Sequence, residues 1–209
     1  MSSSSLDSMF DFLEPVNIAQ LTNDEGFKDT QLGTHIAVYD QVFPDLEKAD
    51  IVLVGCGEMR GAGIEYTNTD APNAIRLAFY NLYHWHTAVS VADIGNVKCG
   101  ATLQDSYAAL RIVINELTAI GKKVVILGGS HDVTMAQYQS YVHENKIIDA
   151  VCVDARIDMD MESVLPADNF LVELFTPAHN CEPQTGQSIF LKKIFLIFLS
   201  NKANPIITQ

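Results

Sequence analysis

The chain has 209 residues, about 1.4 typical domains, so one domain with a tail is expected rather than two full ones. Its 48% hydrophobic and 19% charged residues allow a large buried core and exclude disorder throughout. The 13 basic against 26 acidic residues leave a net charge of −13, which repels phosphate backbones and anionic membranes and argues against nucleic-acid and membrane partners.

Residues 1–48 mix Ser, Asp, Asn and scattered apolar residues without a sustained period and predict an irregular or partly helical lead-in. From Asp50 onward, short apolar runs that end in Gly or Asp alternate with longer segments of helical period, the signature of βαβ units. The predicted strands are IVLVGCG (51–57), VSVADIG (89–95), KVVILGG (123–129), AVCVDAR (150–156) and NFLVELF (169–175). They are nearly all apolar, as strands covered on both faces must be, so the sheet should be parallel. Helices are predicted over 71–85, 103–120 and 134–145, with Pro72 near one start and Gly121 just past one end. An α/β domain is therefore expected over 49–176, followed by a divergent tail over 177–209. The apolar stretch SIFLKKIFLIFLS of that tail is broken by Lys192 and Lys193 and is too short to span a bilayer. Cys56, Cys99, Cys152 and Cys181 form no CxxC pair, and MSSSSLDSMFDFLEPV has neither a basic n-region nor an apolar h-region. Reduced thiols and a cytoplasmic location are expected.

In open parallel sheets, ligands sit beyond the carboxyl ends of the strands. Here those ends read GCGEMRGAG, ADIGN, GGSHDVT and DARIDMD. GCGEMRGAG fails the dinucleotide fingerprint, because Arg60 stands where the third glycine is needed. In GGSHDVT the paired glycines permit a sharp turn that projects His131, either toward a divalent metal or into a turn hydrogen bond, with Asp132 beside it. DARID places Asp154, Arg156 and Asp158 at one strand mouth, where carboxylates need a metal or a cation to offset their desolvation. Arg156 could be that cation. His84 and His86 lie two apart around Trp85, diverge and are read as structural; His143 and His179 are read as surface residues. Met159 and Met161 alternate with Asp160 and Glu162 as a half-exposed stretch rather than a soft-metal site.

The order of these pieces over residues 50–175 resembles the ureohydrolase superfamily, which includes arginase, agmatinase and formimidoylglutamase, the last being nearest in flavour. GGSHDVT stands where that family has GG-x-H, and DARID where it has D-A-H-x-D. The glycine-rich stretch from Val54 leads to Pro72, Asn73, Ala74, Ile75 and Arg76, similar to the family's Pro-x-x-Ile-Arg helix, and ADIGNV looks like its D-x-G-x-V strand end.

The resemblance implies a three-layer α/β/α fold around a mostly parallel sheet, with two Mn²⁺ ions at the carboxyl ends of the strands. A metal-bridging hydroxide would attack the planar carbon of a small-molecule formimino or guanidino substrate, such as formiminoglutamate, arginine or agmatine. Carried over by motif, His131 would ligate the first metal, Asp154 would bridge both and Asp158 would complete the first. No further catalytic residue is assigned. Arg156 replaces the family's second-metal histidine and cannot coordinate. The family's later S-x-D-x-D-x-x-D-P segment has no counterpart before Gln209. A truncated domain with impaired turnover is therefore expected, with a non-catalytic arginase-like binding protein or fragment as the alternative. Self-association is left open. In the family, two late strands lie between the one ending at His131 and the one ending at Asp154. Without them those two strands should either pair directly or expose apolar edges, one of which the tail could cover.

Overall fold

The computed structural model describes residues 7–22, 25–65, 70–143, 150–154, 157–175 and 194–198. Its elements are α1 (Asp7–Phe10), β1 (Leu13–Glu14), α2 (Leu32–His35), β2 (Ala37–Val38), β3 (Ile51–Cys56), α3 (Ala71–Tyr80), β4 (Val91–Val97), α4 (Leu103–Ala119), β5 (Lys123–Leu127), α5 (Thr134–His143), β6 (Ala150–Asp154), α6 (Pro166–Phe175) and β7 (Ile194–Phe198). Single 3-10 turns occur at Ile18–Gln20, Leu46–Lys48, Arg60–Ala62 and His131–Val133.

The main sheet has the order β1-β4-β3-β5, and β3 pairs in parallel with both β4 and β5. Alternation along β3 divides the core into two layers. Val52 and Val54 face Leu110, Val113, Ile114 and Leu117 of α4, whereas Leu53 joins Tyr80 of α3 with Val16 and Ile36. Helices thus cover both faces of a mostly parallel sheet, and α5 packs against α4. Helix α4 starts at a capping box, in which Thr102 Oγ1 accepts from Asp105 N and the Asp105 carboxylate accepts from Thr102 N.

The lead-in holds short helical turns as expected, but it also contributes to the sheet. β2 runs parallel to the first half of β4, with Ala37 opposite Ala92, while β1 runs antiparallel to its second half, with Leu13 opposite Val97. The parallel sheet read from the sequence therefore acquires one antiparallel strand, too short to carry a period of its own.

Two predicted elements are corrected. NFLVELF is not a strand; it lies within α6, where Phe170, Leu171 and Leu174 share one buried stripe against Met135. Pro166 at the first helical position and Asp168 in the first turn are the start signals that the apolar run concealed. Helix α3 stops at Tyr80, not at Trp85. The Asn81 side chain donates to Leu77 O at 2.7 Å, and the following backbone is drawn off the helix by Leu32 N donating to Leu82 O and His84 N donating to Thr30 O.

β6 pairs in parallel with β7 from the tail, from Ala150 opposite Ile194 to Asp154 opposite Phe198. Among the described residues, β5 has a partner only on its β3 side, and Val125 is exposed. No helix among these residues is long and apolar enough to cross a membrane. Cys56, Cys99 and Cys152 carry thiols rather than disulfides, and burial pushes the Cys56 thiol up to about 12. Cys181 and His179 lie outside the described residues.

Candidate metal centre

β5 ends at Leu127, and the chain then turns through Gly128 and Gly129, both at φ +82°. A Cβ at Gly128 would stand 3.0 Å from the Cys56 carbonyl and from Pro72 Cδ; one at Gly129 would stand 2.7 Å from Val133 Cγ2. Only glycine fits this turn without strain. Ser130 N then donates to Glu58 O at 2.9 Å, tying the turn to the loop after β3. The 3-10 turn His131–Val133 follows and divides its side chains: the His131 ring is 54% exposed at the surface, and Asp132 is fully buried.

Asp154 closes β6, and Asp158 lies on the segment leading to α6. Asp158 is only 5% exposed. Its carbonyl accepts from Leu171 N, and Asp160 N donates to Asp168 O, so α6 fixes this segment from outside. His131 Nδ1 lies 2.5 Å from Asp158 Oδ2 and 3.6 Å from Asp154 Oδ2. One ligand atom from each of the three residues falls within 4.8 Å of the others. The His131 ring meets Phe170 of α6 in a T-shaped arrangement, with centroids 6.2 Å apart at 70°. Of the two roles the sequence left open for His131, the geometry turns the imidazole toward carboxylates rather than into its own turn. Arg156 lies outside the described residues.

One imidazole nitrogen and two carboxylates, converging at a partly open strand mouth, form a donor set that suits Mn²⁺ or a similar divalent ion. A cleft of about 390 Å³ borders the cluster along the outer side of β5, lined by Val125, Gly128, Gly129, Ser130, His131 and Gln137.

Around this cluster lie buried polar networks of which only fragments were legible in the sequence. Arg60 places Nε and Nη2 on the two carboxylate oxygens of Glu58, at 3.0 and 2.6 Å, and also reaches Gly100 O and Ala101 O. Burial pushes the Glu58 carboxyl up, but the bonds from Arg60 and Ser106 outweigh it and hold the group below the ordinary carboxylate range. Arg76 uses all five of its donors: two on the Asp93 carboxylate at 2.8 and 2.9 Å, and one each on Gly95 O, Asn73 Oδ1 and Asn96 Oδ1. Tyr80 donates to the same carboxylate at 2.8 Å, and burial, reinforced by Asp93, raises its phenol above the usual range. The signal available in sequence was a charge, Asp93, inside an otherwise apolar strand. Away from the cluster, the rings of His84 and His35 stack at 4.0 Å, while Met159 and Met161 are exposed.

Residues 49–171, more than half of the chain, match the pattern of the Arginase family. This chain belongs to the arginase family. It is 28% identical over 100 residues to a formimidoylglutamase of Hahella chejuensis, covering 45% of this chain and 31% of that protein. The fold is similar to that of Bacillus subtilis formimidoylglutamase, with a TM-score of 0.58 and 17% identity over 82% of this chain and 54% of the other. It is also similar to Trypanosoma cruzi formiminoglutamase solved with Mn²⁺, with a TM-score of 0.54 and 16% identity over 71% and 54% of the two chains. The chain spans about a third of the length of its curated relative and about half of each solved structure.

Proposed function

We propose that this arginase-family chain binds one Mn²⁺ through His131, Asp154 and Asp158, and that its chemistry is hydrolysis of a C–N bond in a formimino or guanidino compound, of the formiminoglutamate, arginine or agmatine type. The observation that carries this reading is the convergence of one imidazole and two carboxylates within 4.8 Å at the mouths of β5 and β6. The formimidoylglutamase and Mn²⁺-bound formiminoglutamase relatives support the choice of metal and of substrate class. When bound, such an ion supplies Lewis acidity and a water of lowered pKa. The protein's part is to hold the three donors: the double-glycine turn projects His131, β6 presents Asp154, and α6 holds Asp158 in place.

A second reading rests on Arg156, a fixed cation in sequence between Asp154 and Asp158. A guanidinium does not coordinate and opposes a second ion. Turnover would then be impaired, and the chain would bind an amidine rather than cleave it. Formamide release from formiminoglutamate, and urea release from arginine or agmatine, decide between the two in the presence of Mn²⁺. Product that requires Mn²⁺ and vanishes in Asp154→Asn supports hydrolysis. Mn²⁺ held by the same residues with no product from any of the three substrates supports the binding reading.

A further inference from the structure

Asp132 follows His131 in the same 3-10 turn and points the other way, fully buried. Its Oδ2 accepts a hydrogen bond from the Tyr107 hydroxyl of α4, and its Oδ1 has no hydrogen-bond partner among the described residues. Gly61 is pressed against the same group: a Cβ there would stand 2.0 Å from Oδ2 and 2.3 Å from Oδ1. Burial, and then the bond to Asp132, raise the Tyr107 phenol above its ordinary range, so it remains a donor. An apolar side chain would fill this space without desolvating a carboxylate, so packing alone gives no reason for an acid here. Departures of this kind concentrate where geometry serves a site.

We propose that Asp132 and Tyr107 form a positioning pair for His131. The buried carboxylate, gripped by the phenol of α4, fixes the rotation of the turn and so aims the imidazole at Asp154 and Asp158. In a 3-10 helix, successive side chains stand a third of a turn apart, so anchoring Asp132 inward determines where His131 points. The anchor is itself rigid. Tyr107 lies one turn inside α4, whose start is fixed by the Thr102 and Asp105 capping box and whose inner face carries Leu110, Val113 and Ile114. Phe170 and Asp158 meet the imidazole from the side of α6, so the ring is located from two directions. The proposal rests on reading His131 as a metal ligand, and groups that orient a ligand typically change metal affinity by about 10- to 100-fold when removed.

The test pairs Mn²⁺ affinity, from the electron paramagnetic resonance of free ion during titration, with the ring ¹H–¹³C signal of His131 in metal-free protein, assigned by its loss in His131→Ala. Tyr107→Phe should weaken Mn²⁺ binding about tenfold and displace the His131 signal. Asp132→Leu, similar in size but without an acceptor, should do the same, which guards against one variant failing to fold. Asp132→Asn keeps an oxygen for the phenol and should retain both properties. Val113→Ala, buried in the same helix, should lower stability and move neither. Unchanged affinity and an unmoved signal in Tyr107→Phe or Asp132→Leu would overturn the proposal, as would an equal displacement in Val113→Ala. If the unmodified chain takes up no Mn²⁺ yet Tyr107→Phe still displaces the signal, the metal reading fails and the positioning role stands.

Discussion

Arg76→Met is expected to destabilise the chain by about 3–5 kcal/mol, because it leaves the Asp93 carboxylate buried without its cation. Both side chains are fully buried. The guanidinium also bonds Gly95 O, Asn73 and Asn96, so its loss strips partners from β4 and α3 together. Urea denaturation measures the change. The cost belongs to the unpaired charge more than to the pair itself, so Arg76→Met with Asp93→Leu should recover part of it. A loss below about 1 kcal/mol in Arg76→Met, the range of an exposed ion pair, would show that the pair is not buried as described.

Gly95→Ala should cost about 3 kcal/mol, whereas Gly121→Ala should cost only about 1 kcal/mol. Both glycines have positive φ, at +85° and +76°, so both substitutions pay a similar backbone penalty. They differ in what the new methyl meets. At Gly121 nothing lies within 4 Å, whereas at Gly95 the Glu14 carbonyl of β1 would stand at 2.1 Å. The extra cost is the cost of pushing β1 away from β4, and it measures how firmly the lead-in belongs to the sheet. Equal losses in the two variants, by the same denaturation assay, would mean that Leu13–Glu14 does not pack on β4.

β3 was legible because burial on both faces leaves an unmistakable run of apolar residues, IVLVGC; KVVIL reads the same way, although β5 ends the described sheet and leaves Val125 exposed. The same rule misled at NFLVELF. A helix buried along most of its length also reads as an apolar run, and only Pro166 and the spacing of Phe170, Leu171 and Leu174 distinguish it. β1 and β2 have two residues each, fewer than any period needs, and they take their conformation from β4. The end of α3 was hidden for a related reason, since the partners that draw Leu82 and His84 off the helix, Leu32 and Thr30, are distant in the chain. His131, Asp154 and Asp158 stood out because they lie at or just beyond strand ends, where parallel sheets collect their polar groups, and the family resemblance grouped them as ligands. Their mutual distance could not. It depends on α6 pinning Asp158 and on the buried side of the His131 turn, and both are contacts between segments far apart in sequence.

The convergence of His131, Asp154 and Asp158 as a metal-binding unit is tested most directly by the Mn²⁺ content of the dialysed chain, measured beside His131→Asn, Asp154→Asn and Asp158→Asn. One Mn²⁺ or fewer per chain is expected, held weakly because the three residues supply only part of a coordination shell, and each substitution should remove it. Two tightly held ions per chain, or Mn²⁺ uptake indifferent to all three substitutions, would contradict this.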